Sequence, residues 1–225
     1  MAIESRNLVK EYQRRGRTFR AVDDVSIFVP NGKITAVTGS SGSGKSTLLN
    51  ILSGMIRPDG GRVIVDGKDL TRLNVRERDR VRGMKIGIVP QVQSLISGLT
   101  VGENIILQRS FSGKRNEKNN DTIPSFVYML GIEDLLDVFP SSLSGGEMKR
   151  VAIARALTGD HEYIFADEPT GELDPENAGK IMDVLRAQAE MGKGVLLITH
   201  DDLVESRADI LYKMAGGKIT PVKTG

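Results

Sequence analysis

A glycine-rich loop closing on lysine, serine and threonine is the first group in this chain whose types and spacing could do chemistry. Gly39, Ser40, Ser41, Gly42, Ser43, Gly44, Lys45, Ser46 and Thr47 fit the pattern G-x-x-x-x-G-K-[ST] of a phosphate-cradling loop. Glycines let the backbone bend around a polyphosphate, because without a Cβ they take positive φ freely. The exposed N–H groups then form an anion nest, and a following helix adds the positive end of its dipole. Lys45 offers a point charge to the β- and γ-phosphates, and the Ser46 hydroxyl can ligate Mg²⁺. A second group is Asp167-Glu168, two carboxylates at the end of the apolar run Tyr163 to Ala166. Asp167 can hold Mg²⁺ directly or through water, and Glu168 is then placed to accept a proton from an attacking water. A glycine–serine turn and a solvated acidic turn before Pro169 are the plain readings of the two groups. Their occurrence in one chain favours a nucleoside triphosphate.

The elements that must position these residues are legible as patterns. Lys33 to Thr38 reads as a short buried strand and Thr47 to Leu52 as the start of a helix, so the loop has strand–loop–helix context. Lys85–Val89, Tyr163–Ala166 and Val195–Thr199 are apolar runs of the kind that form parallel strands buried on both faces. Helical patterns such as Pro175 to Glu190 alternate with them, which predicts an α/β core. Residues 3–9, 25–29 and 62–66, near the turn signals Asn31-Gly32, Asp59-Gly60-Gly61 and Asp66-Gly67, predict a small antiparallel sheet around the nucleotide.

From residue 94 to 158 the pattern changes, and we expect a helical subdomain inserted into the core. Thr100-Val101-Gly102-Glu103 is a capping box that should open a helix. Apolar residues recur at helical spacing over 123–139. Ser110 to Asp121 is polar almost throughout and reads as an exposed loop, with disorder as the alternative.

Composition narrows the class. A chain of 225 residues can bury one sizeable core. It has no cysteine, hence no disulfide framework and no thiolate metal site, which agrees with a reducing cytosol. The first residues lack the apolar core of a signal peptide, and the longest apolar runs are too short to span a bilayer. Work at a membrane would need another chain. The net charge of +2 does not imply nucleic acid, and none is expected as a partner. The basic groups Arg14, Arg15, Arg17, Arg20 and Arg72, Arg76, Arg78, Arg80, Arg82, Lys85 read as solvated faces; contact with phosphates or anionic headgroups is the alternative. Few aromatics accompany them, so stacking platforms for bases are not expected.

Leu143-Ser144-Gly145-Gly146-Glu147, followed by Met148 to Leu157, closely resembles the signature segment of ABC ATPases. That family ends the motif in Gln where this chain has Glu147. Ser144-x-x-Glu147 is also a capping box, in which Glu and Gln serve equally, and the helix start it caps could face a second phosphate site. The resemblance extends over essentially the whole chain and implies a single ABC ATPase domain. Its core would be P-loop, RecA-like α/β with the antiparallel β-subdomain (1–93 and 159–225), and 94–158 would be the helical subdomain carrying the signature. It implies ATP and Mg²⁺ as ligands, with Lys45, Gln91, Glu168 and His200 acting in hydrolysis and Ser46, Gln91 and Asp167 around the metal. Gln91 matches the family's Q-loop glutamine, which senses Mg²⁺ and the attacking water; Gln93 is a rival, and Pro90 replaces the usual aromatic. His200 matches the switch histidine that contacts the γ-phosphate. His161 matches no family site and reads as a loop residue. Asp174 matches the D-loop, although Asp174-Pro175-Glu176 also reads as an N-cap with proline at the first helical position. Tyr12 resembles the adenine-stacking aromatic, with Phe19 as the alternative and edge-strand packing as the plain reading.

In the family two subunits pair head to tail, so the loop of one and Ser144, Gly145, Gly146 and Glu147 of the other enclose each ATP. The resemblance therefore implies a second ATPase subunit, a homodimer being expected and a heterodimer possible, and an integral membrane partner at the cytoplasmic face of the cell membrane. The string Ala166 to Asp174, with Phe139-Pro140-Ser141-Ser142 ahead of the signature, is similar to the macrolide-export, lipoprotein-release and cell-division ATPases. The implied function is ATP-driven export or extraction by a separate membrane subunit. The alternative is a non-transport ATPase signalling mechanically to a division or cell-wall partner.

Overall fold

The computed structural model describes residues 1–14, 16–92, 95–111 and 124–224. The strands are β1 (Ala2–Arg14), β2 (Arg17–Val25), β3 (Phe28–Pro30), β4 (Ile34–Thr38), β5 (Gly60–Val65), β6 (Lys68–Asp69), β7 (Ile86–Val89), β8 (Tyr163–Asp167), β9 (Gly194–Thr199), β10 (Ile210–Ala215) and β11 (Lys218–Lys223). The helices are α1 (Lys45–Leu52), α2 (Val75–Lys85), α3 (Val101–Phe111), α4 (Ser125–Met129), α5 (Gly145–Thr158), α6 (Pro175–Glu190) and α7 (Asp202–Arg207).

Among the described residues the strands make two sheets. One runs β2-β1-β5-β6 with β3 also paired to β1, and all its pairings are antiparallel. The other runs β11-β10-β4-β9-β8-β7; β10 through β7 are parallel and β11 is an antiparallel edge. The chain visits β4, β8 and β9 in that order, yet β9 lies between the other two. Thr38 pairs with Thr199 and Asp167 with Ile198, so the carboxyl ends of these three strands finish level.

Period-two alternation decides which core each strand residue joins. Ile34, Ala36, Ile164, Ala166, Val195 and Leu197 face a core shared with α3, α5 and α6. Val37, Tyr163, Phe165, Leu196 and Ile198 face the opposite core, made with α1 and the antiparallel sheet. Helix α1 thus sits between the two sheets, contributing Leu48, Leu49, Ile51 and Leu52.

Helix starts follow local capping chemistry. Thr100 and Glu103 bond reciprocally ahead of α3, Thr100 N donating to Glu103 Oε2 at 2.8 Å and Glu103 N to Thr100 Oγ1 at 3.2 Å. Asn74 and Glu77 do the same ahead of α2. Helix α2 replaces the solvated basic face expected over 72–85 in one respect: Arg78 is buried, because its stem packs on Gly54 and Leu70 lies alongside. The helical pattern over 123–139 is also corrected. It yields only α4 and a 3-10 turn over Glu133–Leu135, because Gly131 at φ +61 turns the chain out of the helix. Most of the polar stretch 110–121, together with Arg15 and Gln93, lies outside the described residues.

A polar cluster ties the sheets together below the site. Asp66, itself left-handed at φ +49, accepts from Tyr163 Oη at 2.5 Å, from the Ala2 amide at 3.1 Å and from Lys85. Burial pushes the Asp66 carboxyl up, but the bonds from Lys85 and Tyr163 outweigh it and hold the group below the ordinary carboxylate range. A carboxylate depressed on folding adds stability that is present above its unfolded value and lost as pH falls through its folded one. Asp66→Asn should therefore cost about 1–3 kcal/mol at neutral pH. The gap from wild type should close below about pH 4, where the unfolded carboxyl protonates, as read by urea denaturation across pH. Asn tolerates the left-handed backbone, so the substitution tests the charge.

Candidate functional site

The loop between β4 and α1 is glycine-rich because it runs against other backbone. A Cβ on Gly39 would lie 2.1 Å from the Met214 carbonyl oxygen of β10, and one on Gly44 would lie 2.0 Å from that of Ala21 in β2. Both glycines sit at positive φ, +152 and +109. Gly44 is also the N-cap of α1 and supplies no side-chain cap, and no acidic residue occupies the first turn. The helix start is left open to an anion. Lys45 Nζ donates to the carbonyls of Gly39 (2.7 Å) and Ser40 (3.1 Å), which places its charge over the loop.

The three level strand ends bring the remaining groups to the same place. Ser46 hydrogen-bonds Asp167. Burial pushes the Asp167 carboxyl up, and the Ser46 bond and Lys45 charge only partly offset this. Glu168 takes a left-handed conformation at φ +51, which a non-glycine residue holds only when its surroundings dictate it. Its amide donates to the Ile198 carbonyl at 2.8 Å. Its carboxylate accepts from Thr199 Oγ1 at 3.1 Å and lies 2.9 Å from His200 Nδ1. The Glu168 side chain is largely covered while His200 is exposed.

The loop and the strand ends meet at one cavity of about 530 Å³. Ser40, Ser41, Gly42, Gly44, Lys45, Ser46 and Thr47 form its floor. Gln91, Asp167, Glu168 and His200 form one wall, and Tyr12, Phe19 and Ala21 another. Tyr12 and Phe19 are register partners across β1 and β2, with ring centroids 6.0 Å apart, so both aromatics face the cavity. Gly39 and Ser43 belong to the loop but do not line the cavity. The arrangement can bind a polyphosphate by backbone amides and one lysine, and can place a carboxylate base beside it. Serine and aspartate oxygens suit a hard cation such as Mg²⁺. Among the described residues no group of three or more His, Cys, Asp or Glu could hold a metal ion by itself.

Ser144, Gly145, Gly146, Glu147 and Asp174 do not line this cavity. Ser144 caps α5: its amide and hydroxyl donate to Glu147 Oε2 at 2.7 and 2.8 Å, and Ser144 Oγ accepts from the Glu147 amide at 3.3 Å. Those bonds hold the Glu147 carboxyl below its ordinary range. Gly146 abuts Leu173 so closely that a Cβ would come within 3.1 Å of Leu173 Cδ2. Asp174 caps α6, accepting from the Asn177 amide at 2.9 Å, with Pro175 next. The two segments form a second surface, joined to each other and separate from the cavity. His161 lies in the loop before β8 and is buried, which lowers its tendency to protonate.

Sequence patterns did not single out Thr199, Ala21 or Met214. Thr199 is a polar residue closing an apolar strand, a readable signal. Ala21 and Met214 act through backbone, and nothing in their side chains announces it.

Comparison with known proteins gives consistent relatives. A family model described as ABC transporter matches residues 22–171. The methionine import ATP-binding protein MetN 1 of Listeria monocytogenes is 38% identical over 219 residues, 96% of this chain. The chain spans 64% of that relative's length. The lipoprotein-releasing system ATP-binding protein LolD of Buchnera aphidicola is 35% identical over 214 residues, covering 95% of this chain and 93% of that one. Among solved structures, the dimeric post-hydrolysis state of the ATP-binding cassette MJ0796, bound to ADP and Pi, matches with a TM-score of 0.89 at 31% identity, over 99% of both chains.

The close passage at Gly44 can be tested directly. Gly44→Ala should cost about 3 kcal/mol or more, because left-handed strain adds to a backbone clash. Gly42→Ala meets nothing within 4 Å and should cost only the left-handed penalty, about 1–2 kcal/mol. Thermal denaturation of the two variants should rank them in that order.

Proposed function

The chain belongs to the ABC transporter family, and from that membership we propose that it binds and hydrolyses ATP, with Mg²⁺, as the motor subunit of a membrane complex. The observation that carries this reading is the meeting of Lys45, Gln91, Asp167, Glu168 and His200 on one cavity. The loop amides and the start of α1 hold the phosphates, and Lys45 neutralises the β- and γ-groups. Tyr12 and Phe19 offer faces to the adenine. Glu168, oriented by Thr199 and His200, accepts the proton of the attacking water. Ser46 and Asp167 are the residues that would hold Mg²⁺, which when bound neutralises charge developing on the phosphates. Burial of Asp167 favours a cation beside it.

The separate second surface supports a dimer. Ser144 to Glu147 is a capped helix start that does not line its own chain's cavity, suited to contact the γ-phosphate held by another subunit. Two copies arranged head to tail would form two complete sites with C2 symmetry. The dimeric cassette among the structural relatives supports this arrangement. ATP then closes the dimer in proportion to its preference for the closed state, and hydrolysis reopens it. Residues 94–158 would move as the helical subdomain that carries the second surface.

No described helix is long and apolar enough to cross a membrane. Membership of the transporter family supports delivery of the work through an integral membrane partner, with this subunit at its cytoplasmic face. Export or extraction is the finer reading. It is supported by the Ala166 to Asp174 string and by the LolD relative, which this chain covers almost from end to end.

Glu168→Gln should lower turnover by about 10²- to 10⁴-fold while keeping ATP bound, so that ATP shifts the protein to a dimer in gel filtration. Wild-type turnover in that variant would remove Glu168 from its role. Lys45→Ala should lose nucleotide affinity itself, measured by fluorescent-nucleotide titration. Purification from gently solubilised membranes should bring an integral membrane subunit along. A partner with a large extracytoplasmic domain supports export or extraction, a division or cell-wall partner supports mechanical signalling, and recovery with no membrane protein overturns both.

A further inference from the structure

Lys149 lies in α5, five residues beyond the Ser144 cap, and is 8% exposed. A lysine this deep needs hydrogen-bond acceptors for its ammonium. Its Nζ donates to the backbone carbonyl of Glu168 at 3.2 Å and to that of Gly171. Both acceptors belong to the loop that leaves β8. The Gly171 amide also reaches the Glu168 carbonyl, at 3.4 Å, so the lysine clamps a turn already closed on itself. Glu168 and Glu172 are the acidic groups whose charge acts on the ammonium; burial opposes them and lowers its proton affinity.

The Glu168 backbone is the part of the site that most needs holding. At φ +51 it occupies a conformation that an L-residue leaves when it can. Its amide is held by the β9 carbonyl of Ile198, and its carboxylate by Thr199 and His200. Its carbonyl is held by Lys149 of α5. The bond from Lys149 thus completes the set of restraints on this residue.

Resting on the ATPase reading above, we propose that Lys149 is a positioning residue for Glu168. By bonding the carbonyls of Glu168 and Gly171 it keeps the turn left-handed and the carboxylate aimed, and it ties that carboxylate to the helix whose capped start forms the second surface. Helix α5 spans both contacts as one rigid element, so a displacement at Ser144 reaches the base of the same subunit through Lys149. Lys149 touches no reacting atom; its effect falls on the geometry of the base.

The test compares wild type with Lys149→Met and Lys149→Arg by steady-state ATP hydrolysis, fluorescent-nucleotide titration and thermal melting. A misaligned base should cost about 10- to 100-fold in kcat. Nucleotide affinity should stay within about twofold, since the phosphate-binding loop is untouched. Arginine can donate to both carbonyls and should recover most of the rate. If Lys149→Met fails to fold, Lys149→Gln, whose uncharged amide is one atom shorter and cannot bond both carbonyls, carries the same comparison. Wild-type kcat in the Met or Gln variant overturns the proposal. So does a parallel loss of kcat, affinity and melting temperature that arginine does not repair, which is the signature of a packing role alone. A wild-type protein that binds nucleotide but hydrolyses none fails the ATPase reading instead, and the proposal with it.

Discussion

Burial of β4, β8 and β9 on both faces is the constraint on which the site depends. Alternate residues of each strand enter opposite cores, so most of their positions are given to Ile, Val, Leu, Phe and Ala. Fully burying one such large side chain contributes about 1.5–3 kcal/mol, and slipping a strand by one residue would send every one of them to the wrong face. The register is therefore held by many independent contacts. Polar chemistry has room at the carboxyl ends, where Asp167, Glu168, Thr199 and His200 emerge beside the loop that follows β4. The geometry of the base is a by-product of core packing.

A second constraint is backbone meeting backbone. The phosphate-type loop passes between the carbonyls of Ala21 and Met214, which belong to different sheets. The loop is thereby fastened to the antiparallel sheet on one side and to the parallel sheet on the other. The aromatic wall of Tyr12 and Phe19 comes from the first of these, the hydrolytic residues from the second. Closing the cavity needs both sheets in place, and the Asp66 cluster with Tyr163 and Lys85 is one of the joints between them.

Much of this was readable in the order of residues. The β4–loop–α1 unit, the strands ending at Asp167 and Thr199, and the capping boxes at Thr100 and Ser144 follow from local rules and stand where those rules put them. Local patterns carry no trace of a deciding contact that is remote in the chain. Helix α2 was hidden because a run of arginines looks like a solvated face, and the burial of Arg78 depends on Gly54, far away in the chain. Over 123–139 the apolar spacing was helical, but Gly131 broke it. Strand β2 carries exposed charge along much of its length and became a strand by pairing with β1.

The sequence by itself determined the chemical parts. A lysine behind glycines, paired carboxylates behind an apolar run and a capped glycine pair are local statements, written within a few consecutive residues. Only the tertiary structure decided their relations. Inserting β9 between β4 and β8 put His200 against Glu168, although 32 positions separate them. The fold gathered Lys45, Asp167 and Glu168 into one cavity and left Ser144 to Glu147 on another surface. It also turned Lys149, an unremarked cation on a helix, inward onto the backbone of Glu168. Such relations arise from strand order and burial, which sum contacts over the whole chain and leave no mark at any one position.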